Sequence, residues 1–139
     1  MRIMVMDGQG GGIGKNLVEE LTRRFPKCEI LAVGTNATAT ANMMKGGTGN
    51  GATGENAVIF NSKRADVIVG PMGIVLANAM LGEVTPAMAM AVSGSEAEVF
   101  LIPMMKCGVS VVGVSSKKPG EYIKEAADRI EEWQMQYEK

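Results

Sequence analysis

The residues best suited to chemistry lie near the amino terminus, where Asp7 is followed by Gly8-Gln9-Gly10-Gly11-Gly12-Ile13-Gly14 and Lys15. Main-chain N–H groups in such a turn, clear of Cβ atoms and placed where a helix begins, turn their positive ends toward a phosphate. Lys15 adds countercharge. The turn departs from strict G-x-G-x-x-G, because Ile13 takes the last glycine place counted from Gly8. It is not a Walker loop either, since Lys15 is followed by Asn16 in place of Ser or Thr. Two readings stand side by side: a phosphate or nucleotide cradle, and a tight turn that serves the fold alone.

Other polar residues fall where they can serve such a cradle. Gly34-Thr35-Asn36 and Gly70-Pro71 each follow a short apolar run, and the three glycine-containing corners belong on one rim if those runs are parallel strands. The first of these corners lacks the Asp or Glu that binds an adenosine ribose in dinucleotide sites. Thr35 and Asn36 can bond a hydroxyl there, with little selectivity between cofactors. Asp7 and Asp66 border strands and suit a polar ligand or the water shell of a metal, but a helix cap or a surface turn is the favoured reading for each. Glu55 and Asn56 follow the stretch 46–54, five glycines in nine residues, which reads as a loop able to cover a bound nucleotide. Thr53 reads alternatively as a helix cap. Cys107 beside Lys106 is a weak candidate for an activated thiol, and Lys117-Lys118 reads as a solvated turn within reach of a phosphate. The chain has no His, which removes the commonest near-neutral acid or base. No metal site is expected.

The elements that must position these groups follow from hydrophobic spacing. Arg2 to Met6 reads as a strand; Ile13, Leu17, Leu21 and Phe25 recur every four residues and predict a helix that Pro26 ends. Glu29 to Val33 is a second strand and Ala37 to Lys45 a helix. Glu55 to Arg64 is ambiguous, since Val58-Ile59-Phe60 favours a strand, but a helix there delivers the chain to the next strand, Asp66 to Gly70. Ile74 to Leu81 reads as an apolar helix, and Thr85-Pro86 as the cap and first turn of another through Val92. Val99 to Ile102 and Val109 to Val114 read as strands; the six-residue link Pro103 to Gly108 is too short for a crossover helix, so an antiparallel hairpin is expected there. Ile123, Ala127, Ile130, Trp133 and Tyr137 form a last helical stripe after Pro119.

Gly8-x-x-x-Gly12-Ile13-Gly14 resembles the cofactor turn of short-chain dehydrogenases. The likeness covers the opening strand, turn and helix. It leaves the cofactor unidentified, with NAD or NADP a better fit than ATP or another nucleotide. No Tyr-x-x-x-Lys pair accompanies it, since Tyr122 is followed four residues later by Ala126, so a dehydrogenase would need a different proton donor. Taken together, MRIMVMDGQGGGIGKNL, ILAVGTNATATANM and GATGENAVIFNSKRADVIVGPMGI resemble domain-of-unknown-function family 3842. That resemblance spans nearly the whole chain and implies a small Rossmann-like bacterial protein, with no activity attached. The fold class expected is therefore α/β: a three-layer, Rossmann-like fold of about five strands in a mostly parallel sheet, with an antiparallel edge from the last hairpin.

Global properties narrow the classes further. At 139 residues one domain is expected. A net charge of -1, with no Lys or Arg from Val67 to Met105, argues against a nucleic-acid surface, which needs a basic stripe. No apolar run approaches the roughly 18 residues needed to cross a bilayer, and neither Cys28 nor Cys107 belongs to a C-x-x-C pair, so a cytoplasmic setting with reduced thiols is expected. The methionine-rich stretch Met72 to Met90 suggests apolar surface buried in a homo-oligomer. Three functions remain open: a nucleotide- or cofactor-binding sensor or accessory protein, a nucleotide-dependent enzyme such as an NAD(P) oxidoreductase using Asp7, Glu55 or Asp66, and a structural oligomer without ligand chemistry.

Overall fold

The computed structural model describes residues 1–104 and 108–137. Its core is β1 (Arg2–Asp7), an apolar run whose alternate residues face opposite sides. Ile3 and Val5 join the cluster formed by Leu17, Val18 and Leu21 of α1 (Gly12–Arg24). Met4 and Met6 join Val58 of α3 (Glu55–Ser62) and Met88, Ala89 and Val92 of α4 (Pro86–Ser93). A strand covered on both faces needs apolar residues at every position, which is why β1 reads as a continuous run. Each fully buried large side chain contributes about 1.5–3 kcal/mol.

Five parallel strands make one sheet in the order β3-β2-β1-β4-β5: β2 is Glu29–Gly34, β3 Gly51–Thr53, β4 Val67–Pro71 and β5 Glu98–Ile102. The helices α1, α2 (Ala37–Met44) and α5 (Pro119–Tyr137) pack on one face, and α3 and α4 on the other. The architecture is the expected three-layer Rossmann-like α/β fold. The segment expected as Glu55 to Arg64 is helical from Glu55 to Ser62, because β3 and β4 are parallel and consecutive in the chain and need a crossover between them.

Three local expectations are corrected. Residues 109–114 form no strand; Val111 and Val112 are exposed, and no antiparallel edge forms among the described residues. The fifth strand comes instead from the glycine-rich stretch, where Gly51–Thr53 pairs with Ala32–Gly34. β-Branched content is no substitute for a partner, while a free edge of β2 accepts even glycine. Finally, Ile74 to Leu81 is not a helix. After a single 3-10 turn (Met72–Val75), the backbone takes positive φ at Asn78, Met80, Leu81 and Gly82 and folds back through Asn78 N–H to Val84 O (2.7 Å). Ile74, Ala79 and Val84 still reach the core, so the apolar content is buried without a helix. Met90 and Leu81 of the methionine-rich stretch remain exposed.

Thr85 caps α4, accepting from the Met88 amide (3.1 Å) while donating to Glu55 Oε1 (2.6 Å). Thr85→Ala should lower stability by about 1 kcal/mol, read as the shift in a urea midpoint. Among the described residues no helix is long and apolar enough to cross a membrane.

Candidate functional site at the switch point of the sheet

The chain leaves β1 toward β2 on one side, and β4 enters on the other. At such a reversal the connections diverge beyond the carboxyl ends of the strands and leave a crevice. The register pairs Asp7 with Gly34, and the Thr35 amide donates to Asp7 O (3.0 Å). The glycine turn therefore stands directly beside Thr35 and Asn36, with Pro71 at the end of β4 across the sheet order.

Within the turn the seven residues divide by what surrounds them. Asp7 is buried, and its two oxygens accept from the amides of Gly8 (2.7 Å) and Gly14 (2.7 Å). It acts as the cap that Gly11, the N-cap residue without a side chain, cannot provide. The Gly11 amide donates to Gly8 O (2.9 Å), and the Gln9 amide to Glu83 Oε1 (2.7 Å). Four of the seven amides are thus paired internally, while Gly10, Gly12 and Ile13 have no partner among the described residues. The space tells the same story. Gly11 has φ +71 and lies against Ala39 of α2, and a Cβ on Gly14 would collide with Met43 and Asp7. A Cβ on Gly10 or Gly12 would meet nothing within 4 Å. The fold requires glycine at 11 and 14; at 10 and 12 it does not.

The remaining contacts come from residues far away in sequence. Glu83, on the loop before α4, sends Oε1 to the Gln9 amide (2.7 Å), Thr35 Oγ1 (2.7 Å) and Asn36 Nδ2 (2.8 Å). Asn36 Nδ2 also donates to Gln9 O (3.0 Å), its Oδ1 caps α2 by accepting from Ala39 N (2.8 Å), and Asn42 Nδ2 donates to Gly10 O (2.9 Å). With Met80 close to Gly8 as well, the protein's own side chains fill the Thr35 side of the crevice. Two surface concavities lie elsewhere, between β5 and α5 beside Phe100, Tyr122 and Arg129, and between α1 and α5. Glu83 escapes a motif search, but one signal was available: it is the sole charged residue between Asp66 and Glu96.

The two carboxylates are tuned in opposite directions. Burial raises Asp7 above the ordinary aspartate range, the Gly14 and Gly8 amides draw it partly back, and the Glu83 charge adds a further rise. For Glu83, burial would raise the value, but the Gln9 amide, Thr35 and Asn36 together hold it below the usual glutamate range. The sign for Asp7 follows from linkage. With the native pKa raised, its contribution is fully present below the unfolded value and is lost as pH rises through the native one. Asp7→Asn should therefore flatten the loss of stability across that window, measured as the slope of unfolding free energy against pH. An unchanged slope would show that Asp7 does not titrate there.

The other candidates separate clearly. Gly34 and Gly70 reach the rim but are buried in the sheet, where a Cβ would strike Thr40 or Met6 O, so they pack and leave the rim to Thr35 and Asn36. Lys15 lies half-buried in the first turn of α1. Asp66 has a structural partner: it accepts from the Arg2 amide (2.8 Å) at the amino-terminal end of the strands, opposite the rim. Glu55 is engaged by Thr85, and Thr53 pairs with Thr40 (2.7 Å) instead of capping α3. Residues 48–54 run along β2, with Thr48 Oγ1 on Ile30 O (2.6 Å) and Asn50 O on Ala32 N (2.9 Å), and do not cover the crevice. Lys117 binds Glu125 of α5 (2.5 Å). Lys106 and Cys107 lie outside the described residues, and Cys28 packs against the core.

Comparison with known proteins adds one result. No curated protein and no solved structure matches the chain, whereas the model of the family described as Domain of unknown function (DUF3842) matches residues 2–135. A match over nearly the whole length shows that this chain belongs to the DUF3842 family.

Proposed function

We propose that this protein binds a nucleotide or dinucleotide cofactor at the switch point and acts as a sensor or accessory protein. One observation carries the reading: the amides of Gly10, Gly12 and Ile13 stand unpaired at the head of the 13-residue helix α1, beside glycines whose Cβ positions are open. Such a set supplies hydrogen-bond donors and the positive end of a helix dipole to a phosphate. The open Gly12 agrees with the likeness to a dehydrogenase turn, and NAD or NADP fits better than ATP. A binding role is preferred over an enzymatic one because the carboxylates a reaction would use are engaged: Asp7 caps α1, Glu55 ties to Thr85, and Asp66 sits at the far end of the sheet.

A second reading has its own support. Glu83 and Met80 fill part of the crevice, as expected if the protein is a structural oligomer that keeps the fold without its ligand. Thermal-shift and calorimetric titration with NAD, NADP, ATP, flavins, S-adenosylmethionine and sugar phosphates separates the two. Saturable binding that is lost in Gly12→Val supports the cofactor reading. Natively folded protein that binds none of them supports the scaffold.

A further inference from the structure

We propose that Glu83 is the acceptor for a ribose hydroxyl, supplying from the loop before α4 the carboxylate that the end of β2 lacks, and that the site therefore selects a nucleotide with a free 2′-hydroxyl. The inference rests on the nucleotide reading above and specifies its ligand.

In dinucleotide-binding folds an acidic residue about 20 positions beyond the glycine turn receives the ribose hydroxyl. The corresponding corner here holds Thr35 and Asn36. Both of their side chains donate to a single oxygen of Glu83, at 2.7 and 2.8 Å, and the Gln9 amide donates to the same atom at 2.7 Å. Three converging donors saturate Oε1 and orient the group. Oε2 has no hydrogen-bond partner among the described residues and is left to accept from an incoming donor. The carboxylate is also held from behind. Val84, next in the chain, is fully buried and exchanges backbone bonds with Asn78 (2.7 Å) and Ala79 (3.1 Å), so the loop presents Glu83 as a fixed group.

Polarity then specifies the ligand. The turn offers the unpaired amides of Gly10, Gly12 and Ile13, which suit an anion, and Glu83, bonded to the Gln9 amide of the same turn, adds a carboxylate, which accepts a hydroxyl hydrogen bond and repels a phosphate. A nucleotide carries a phosphate on one side of its sugar and hydroxyls on the other. A 2′-phosphate, as in NADP, would set two anions together, and a 2′-deoxy sugar would leave Oε2 unpaired.

Calorimetric titration of the full chain with two ligand pairs tests this: NAD against NADP, and ATP against 2′-deoxy-ATP. The hydroxylated member of each pair that binds should bind about tenfold or more tightly than its partner, the scale of one hydrogen bond to a charged group. Glu83→Gln can keep the contacts to Gln9 and Thr35, and its thermal midpoint confirms folding; it should bring the ratio to within about threefold of one, since the charge that discriminates is gone. Equal affinities within each pair for the wild type overturn the assignment. Tighter binding of every ligand to Glu83→Gln overturns it too, and makes Glu83 a competitor that must leave before a ligand enters. Both results leave nucleotide binding standing. Native protein that binds none of the four overturns both proposals.

Discussion

Valine in place of Gly12 is expected to abolish nucleotide binding without harming the fold. Gly12 is exposed, occupies the first position of α1, has no positive φ, and a Cβ there meets nothing within 4 Å. Gly→Val at a helical position changes intrinsic propensity by a few tenths of a kcal/mol in the stabilising direction, so the thermal midpoint should stay within about 2 °C of wild type. The isopropyl group, however, enters the open space beside the unpaired amides of Gly12 and Ile13, the place a phosphate would take. Loss of one or two hydrogen bonds to a charged group corresponds to about a hundredfold or greater fall in affinity. Isothermal titration of both proteins with the best ligand from the screen measures this. Unchanged affinity would move the ligand away from the turn.

Alanine in place of Gly11, the neighbouring residue, should do the reverse. Its φ of +71 lies in the left-handed region, and its Cβ would stand 2.7 Å from Ala39 O and 2.9 Å from Ala39 Cα. Those atoms belong to the backbone of α2, capped by Asn36, and cannot swing aside as a flexible side chain would. Left-handed strain of about 1–2 kcal/mol and overpacking of about 1–3 kcal/mol act together, giving a loss of roughly 2–5 kcal/mol in urea denaturation whether or not ligand is present. A wild-type midpoint would mean that α2 does not rest on the turn. The pair of variants thus separates a glycine kept for the fold from one the fold does not require.

Much of the scaffold follows from short-range pattern. The continuous apolar run of β1, the four-residue recurrence of Leu17 and Leu21, the Thr85-Pro86 start of α4 and the stripe Ile123, Ala127 and Ile130 are each fixed within one or two turns of chain. A parallel three-layer sheet follows, because strands alternating with helices must be joined by crossovers. The position of the glycine turn on the rim follows with it.

What sequence alone could not determine is how the crevice is furnished. The bonds of Glu83 to Gln9, Thr35 and Asn36 join residues 74, 48 and 47 positions apart, and no local periodicity encodes such a meeting. The same holds for β3, whose three residues become a strand because β2 offers an unpaired edge, and for the loop from Asn78 to Gly82, whose left-handed residues are stabilised by burial of its flanks. The chain's own chemistry determined which elements form and that a glycine turn opens α1. Tertiary packing decided which amides stay free, which glycines are indispensable and which carboxylate stands beside the turn, because these depend on groups that become neighbours only after the sheet has assembled.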